Sequence, residues 1–308
     1  LTGPKPRLEA DLHWLELSAP VDAEAVDEVV SLLGRYSHGS PVIEEKASPA
    51  PGERPFIVKA YLACDGSLAS KKRRLFHDLE RLPSPYVPQL QERLLNPEDW
   101  SKAWKAHFLP HKVGEHIVIR PSWHSYNPSP SEIVIELDPG MAFGTGLHPS
   151  TRLCLLRLER HLEAGMPALD LGTGSGILAI AAAKLGASPV LALDIDPIAV
   201  KVARANTRAN GLGEIVEVKR GTLSPKMAAG LRGHFALVVA NITARVIAEL
   251  AESLALVLKP GGRLIAGGIT GQGLDEVLIC LALAGLRAEA IDRDGEWHTV
   301  MARGAQRA

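Results

Sequence analysis

Two rhythms of apolar and polar positions divide this sequence near residue 95. In the first part, LHWLEL at 12–17 reads as a strand. The run DAEAVDEVVSLLGRYS behind it sets Ala25, Val29, Leu32 and Leu33 on one helical face, with Asp22 as its expected cap. Strands are expected in PVIEE from 41 and FIVKAYLA from 56, separated by the loop KASPAPGERP. A helix over 67–82 and a last strand within 87–94 complete the order βαββαβ. That is the split βαβ, ferredoxin-like pattern of a small α+β domain.

The stretch NPEDWSKAWKAHFLPHKVGE follows, in which Pro97 opens a helix that repeats Trp100, Trp104 and Phe108 every four residues. It reads as a linker helix with one aromatic face, and the strands HIVIRPSW and EIVIELD come after it. Beyond residue 153 the pattern alternates strictly. PALDL, PVLALD, IVEVKRG, FALVVAN and GRLIAGGI read as strands, with helical segments such as GILAIAAAKLG and PIAVKVARANTRANG between them. Such alternation predicts a parallel sheet covered on both faces. The tail AEAIDRDGEWHTVMARG departs from it, with two strands around the hairpin signal Asp294-Gly295. The expected organisation is therefore a small domain at 1–95, a linker and connection at 96–120, and a larger α/β domain at 121–308.

Composition narrows the function classes without choosing one. Of 308 residues, 46% are hydrophobic and 22% charged, ordinary for a globular chain, and the net charge of −1 offers no global attraction to nucleic acid or anionic lipid. Lys71–Arg74 reads as a solvated basic helix face, so no direct nucleic-acid readout is expected. Three scattered cysteines form no C-x-x-C pair, which argues against a disulfide framework or a zinc site. His107 and His111 are four apart, but Pro110 intervenes and no third ligand is evident, so no metal is expected. No apolar run spans a membrane, and the expected location is the cytoplasm.

The chemistry lies in two glycine-threonine-glycine turns. The first, DLGTGSG at 170–176, joins a strand to a helix, so that Gly172, Gly174 and Gly176 let a ligand approach the backbone at a helix amino end. Asp194 closes the next strand 22 residues after Gly172 (194 − 172), where a carboxylate accepts ribose hydroxyls or, on a plainer reading, caps the following helix. GSGILA also satisfies a dinucleotide pattern, so a nicotinamide oxidoreductase stands as a rival reading. Asn241 ends the fourth strand, in VVANIT, and the sheet closes on a hairpin instead of a second mononucleotide half. With LKPGGRLI, these features resemble the seven-stranded, Rossmann-like class I methyltransferases.

The second turn, PGMAFGTGLHPST at 139–151, ends the strand just before that core. Together with DLGTGSG, DIDP, VVAN and the frame DW…WK..F.P…GE…I.PSW upstream, it resembles the PrmA family of ribosomal protein L11 methyltransferases over nearly all of the chain after Asn96. The resemblance implies S-adenosyl-L-methionine as cofactor and L11 as protein substrate, methylated on its terminal amine and lysine side chains. A substrate-recognition role for the small domain and a transient ribosome contact follow from the same likeness. It also implies cofactor contacts at Thr151, Gly172, Asp194 and Asn241, with Gly174 and Gly176 in the same turn, and a loop at 143–148 beside methionine and substrate. Phe143, Thr145, His148 and Asn241 are thus the candidate catalytic residues. His148 precedes a proline, where histidine serves more often as a structural hydrogen-bonding group than as a base. The chain departs from the family in HPST for the usual HPTT and NITAR for NILA, both on the substrate side. A class I methyltransferase of RNA or a small molecule and a noncatalytic ribosome-binding module are the remaining alternatives.

Overall fold

The computed structural model describes residues 13–22, 25–37, 41–45, 54–82, 89–96, 108–138 and 144–304. The chain forms two compact units, residues 1–109 and 110–308. Trp100, Trp104 and Phe143 lie outside the described residues, as does most of the expected linker helix.

In the first unit, β1 (Trp14–Val21), α1 (Val26–Gly34), β2 (Val42–Glu45), β3 (Phe56–Ala63), α2 (Leu68–Leu79) and β4 (Gln91–Leu95) follow in the expected βαββαβ order. Their sheet runs β2-β3-β1-β4 with every pairing antiparallel, the ferredoxin-like topology. The core follows from the strand period: Leu15, Leu17, Ala19 and Val21 share one face of β1 and pack with Val29, Leu32 and Leu33 of α1 and Leu75 and Leu79 of α2. Asp22 is not the cap of α1. Its backbone carbonyl accepts from Ala25 N–H at 3.0 Å, and its carboxylate lies 3.7 Å from Arg54. Within the basic run, Lys72 pairs with Glu92 of β4 at 2.6 Å.

The second unit begins earlier than the sequence pattern suggests. β5 (His111–Val113) and β6 (Ile117–Pro121) form a three-stranded sheet with β7 (Ile133–Leu137), where residues up to 120 read as a connection. The β6–β7 pair is parallel, and Ile117, Ile119, Ile135 and Leu137 are fully buried. Next come α3 (Pro149–His161), β8 (Ala168–Leu171), α4 (Ile177–Lys184), β9 (Val190–Asp194), α5 (Pro197–Ala209) and β10 (Val216–Arg220). They are followed by α6 (Pro225–Gly230), β11 (Phe235–Asn241), α7 (Ala244–Glu249), α8 (Ala251–Val257), β12 (Leu258–Thr270), α9 (Gly271–Leu283), β13 (Leu286–Asp294) and β14 (Trp297–Gly304). The last two form the hairpin signalled by Asp294-Gly295, with Gly295 at φ +60°.

The main sheet runs β10-β9-β8-β11-β12-β14-β13, parallel except where β14 pairs with β12 and β13. Helices α6–α9 bury Ala228, Ile247, Leu254 and Val277 against one face, and α3–α5 cover the other. From β8 the chain proceeds outward through β9 and β10, then returns to place β11 on the other side of β8. The sheet therefore has a topological switch point beside β8, where the connections diverge and leave a crevice at the strands' carboxyl ends.

Candidate active site

Three adjacent parallel strands end at this switch point, and each ends on a residue singled out by the sequence. β8 runs into Gly172, β9 ends on Asp194 and β11 ends on Asn241. Gly172, Gly174 and Gly176 take φ values of +76°, +55° and +88°, the left-handed region that side chains avoid. A Cβ at Gly176 would also press on the Ala203 backbone of α5 at 3.2 Å. The turn closes on itself through Gly176 N–H to the Thr173 carbonyl at 2.8 Å and leads into α4, whose amino end has no side-chain cap.

Two carboxylates shape this turn from opposite sides. Asp170 is buried; one of its oxygens accepts from the Thr173 hydroxyl at 2.6 Å and the Ala179 N–H at 3.0 Å. Burial pushes its carboxyl up to about 7, against the downward pull of those two bonds. Asp194 accepts from the N–H groups of Gly174 and Asp196, both at 2.9 Å. The capping alternative falls to its neighbour, since Asp196 accepts from Ile198 N–H at 2.8 Å as the cap of α5. Ile195, between them, is 68% exposed.

The second Gly-Thr-Gly turn is fastened to the first. Ser175 donates its hydroxyl to the Gly144 carbonyl at 2.6 Å. A Cβ at Gly146 would overlap the Ile119 side chain, so this turn lies close on β6 as well. Thr145 is buried, and its hydroxyl accepts from Leu147 N–H at 3.4 Å. His148 caps α3: its Nδ1 accepts from Ser150 N–H at 3.3 Å and lies 2.8 Å from the Ser150 hydroxyl, while its ring meets Trp297 edge-on at 4.5 Å. Burial lowers its pKa to about 4, with Asp294 opposing weakly, so the ring is neutral and Nδ1 is engaged as an acceptor.

His148 carries a pH signature of stability. A histidine near 6.5 when unfolded and about 4 when folded contributes stability above pH 6.5, and that contribution is lost as pH falls through the folded value. The amount is on the order of 3 kcal/mol. His148→Asn keeps a capping acceptor and does not titrate. Its melting temperature is expected to fall less than the wild type's between pH 7.5 and 4.5; parallel curves would show that another group carries the acid sensitivity.

Asn241 lies in register with Gly267 of the paired strand β12. Its amide Nδ2 donates to the Thr151 hydroxyl on α3 at 3.2 Å, and its Oδ1 is buried with no hydrogen-bond partner among the described residues. Cβ atoms at Gly267 and Gly268 would fall 3.2 and 3.1 Å from that oxygen. Thr151 is completely buried, and its hydroxyl accepts from Asn241 Nδ2. Thr151 thus fixes which end of the amide is left as the unpartnered acceptor.

Sequence reasoning missed Asn206 of α5 and Asn210, the residue that caps the carboxyl end of that helix. Asn210 accepts from Glu136 N–H at 3.0 Å and donates to its carbonyl at 2.7 Å. Asn206 treats Asp138 in the same way, at 3.1 and 3.0 Å. The two amides pair with alternate residues at the end of β7 as a neighbouring strand would. The asparagine spacing NTRAN was the one sequence signal for this. Glu159 of α3 was also missed; its carboxylate accepts from the N–H groups of Glu115, His116 and Ile117 and so holds the β5–β6 turn.

A nucleoside-type ligand with an anionic group suits this set: a left-handed glycine turn, a carboxylate at the neighbouring strand end, exposed apolar surface at Ile195 and an uncapped helix amino end. Strand order, switch point and the placement of the glycine turn define a Rossmann-like class I methyltransferase.

Comparison with known proteins narrows that class. The family model described as ribosomal protein L11 methyltransferase (PrmA) matches residues 13–305. Curated proteins of that name are similar throughout: the one from Chloroflexus aurantiacus is 43% identical, covering 95% of this chain and 98% of its own length. That from Pelotomaculum thermopropionicum is 38% identical, covering 95% and 99%. A crystal structure of ribosomal protein L11 methylase from Lactobacillus delbrueckii subsp. bulgaricus superposes with a TM-score of 0.59 at 34% identity, over 65% of this chain and all of that one. The chain belongs to the PrmA family of ribosomal protein L11 methyltransferases.

Proposed function

We propose that this chain transfers methyl groups from S-adenosyl-L-methionine to the terminal amine and lysine side chains of ribosomal protein L11. Family membership supports the cofactor and the substrate protein. The observation that carries the reaction type is the buried, unpartnered Oδ1 of Asn241, which suits an N–H donor such as an amine.

The cofactor supplies an electrophilic methyl on a positively charged sulfur. The protein's part is alignment, because in-line displacement needs no protein nucleophile. Gly172, Gly174 and Gly176 would admit the cofactor to the backbone at the start of α4, and Asp194, beside the apolar surface of Ile195, would receive its ribose hydroxyls. A lysine amine has an ordinary pKa of about 10.4 and must give a proton to solvent water before it enters the crevice as the neutral nucleophile. Asn241 Oδ1 would accept an N–H of the neutral amine and so orient it, and Thr151 holds the Asn241 amide through its Nδ2. Thr145 would stand on the substrate side, the role that the family resemblance gives it; Phe143, the other candidate of that loop, lies outside the described residues. His148 acts as the cap that sets where α3 begins, and not as a base, since its Nδ1 is already engaged with Ser150. No helix among the described residues is long and apolar enough to cross a membrane, in keeping with a cytoplasmic enzyme that meets L11 there or in transient contact with the ribosome.

The ferredoxin-like unit then serves as the substrate-recognition domain, raising the effective concentration of L11 amines near the crevice. The test is mass spectrometry of purified L11 after incubation with the protein and S-adenosylmethionine, using the full chain and a chain lacking residues 1–109. Gains of whole methyl units that vanish on truncation are expected. No gain with the full chain, despite cofactor binding by calorimetry, would assign the protein another substrate.

A further inference from the structure

The side chain and backbone of Ser175 tie down both ends of the segment that separates β7 from α3. At its start, Asp138 is held by Asn206, whose Nδ2 also donates to the Ser175 carbonyl at 2.8 Å. At its return, the Gly144 carbonyl receives the Ser175 hydroxyl at 2.6 Å. Asn206 and Ser175 are buried, with exposures of 3% and 0%, so water does not compete for these bonds. All three of Asn206's hydrogen-bonding groups are used, one accepting and two donating.

We propose that Asn206 is a positioning residue for methyl transfer. By joining Asp138 to the Ser175 carbonyl, it fixes the 144–148 turn on the substrate side against the glycine turn on the cofactor side. The inference rests on the methyltransferase reading above for its kinetic consequence. Its structural half, the coupling of the two turns, does not depend on that reading.

Asn210 supplies the control. It makes the same pair of bonds to the same strand two residues earlier, at Glu136, and its side chain makes no bond to Ser175 among those identified. A purely structural role in bracing β7 would therefore make the two asparagines equivalent. A role in relating the two turns belongs to Asn206 alone, because a small displacement of a positioning group lowers turnover far more than it lowers binding.

The experiment compares Asn206→Ala, Asn210→Ala, Ser175→Ala and the double variant Asn206→Ala/Ser175→Ala in the full chain. The readouts are melting temperature, amide hydrogen exchange over residues 144–148 without ligand, and kcat and KM for S-adenosylmethionine with L11 as acceptor. Expected results are a kcat lowered at least about tenfold in Asn206→Ala and in Ser175→Ala with KM changed less than about threefold. Exchange over 144–148 should be faster in both, the double variant little worse than either single one, and kcat near wild type in Asn210→Ala. If Asn206→Ala does not fold, Ser175→Ala decides on the same two readouts. Equal kcat losses in Asn206→Ala and Asn210→Ala at equal loss of melting temperature would overturn the proposal. So would unchanged exchange and kcat in Ser175→Ala. A wild type that binds cofactor but leaves L11 unmodified would overturn the functional reading instead, and the exchange data would still judge the coupling.

Discussion

Asn241→Ala is expected to lower methyl transfer by about 100- to 1,000-fold, the loss typical when a preorganised hydrogen-bonding group is removed from a buried site. The oxygen it removes is a buried acceptor with no partner among the described residues, bounded by the Gly267-Gly268 backbone. The remaining amide nitrogen is held by Thr151 at 3.2 Å, so the acceptor's direction is set before any substrate arrives. Thr151→Val, which keeps the shape but removes the hydroxyl, lets the amide turn over and should have a smaller effect, roughly tenfold. Single-turnover assays on L11, with cofactor affinity by calorimetry, check both. Unchanged affinity and turnover in Asn241→Ala would end the assignment of this residue to the site.

The second large effect falls on the fold that holds Asn241. Gly268 sits at φ +77°, where the β12–β14 register shifts, and a Cβ there would overlap the Ile242 carbonyl oxygen. The obstacle is backbone, which has no rotamer to retreat into. Left-handed strain of about 1–2 kcal/mol and overpacking of about 1–3 kcal/mol together predict destabilisation of roughly 2–5 kcal/mol for Gly268→Ala. Gly285 isolates the second contribution, since its φ is +81° and nothing lies within 4 Å of its missing Cβ. Gly285→Ala should cost only the strain, about 1–2 kcal/mol. Urea denaturation of the two variants measures the difference; equal losses would mean that the crowding at Gly268 relaxes freely.

Much of this architecture was legible because it rests on periods that a single sequence displays. The βα alternation after residue 153, the closing hairpin at Asp294-Gly295 and the βαββαβ order of the first unit follow from local patterning and turn residues. The glycine turn, Asp194 and Asn241 were found because each ends a recognisable strand. What escaped was non-local. Asn206 and Asn210 read as polar positions on a helix, and beyond their four-residue spacing nothing near them in sequence announces a strand edge at residues 136–138. Glu159 likewise reads as helix surface until the N–H groups of residues 115–117 are brought to it. The stretch ARVIAELAESLALVL looks like one helix and is two, α7 and α8, meeting at Leu250. LSPKMAAG conceals α6, whose cap is Ser224, with Pro225 in its first turn. Asp22 offered a capping side chain that the structure uses toward Arg54 instead, because the cap depends on where the chain turns as well as on residue type.

The ties between α3 and the closing hairpin bear on how the protein is made. Arg157 forms a two-pronged pair with Asp292, Arg152 pairs with Asp294, and the His148 ring rests on Trp297. These partners are separated by 135 to 149 residues (292 − 157 and 297 − 148), so the helix that carries Thr151, which Glu159 ties to residues 115–117, is tied as well to chain synthesised well over a hundred residues later. Such long-range closure is slow and follows the assembly of the local βα units. A chain that stops short of residue 292 therefore has its glycine turn already encoded but lacks the pairs that bind α3 to the β13–β14 hairpin.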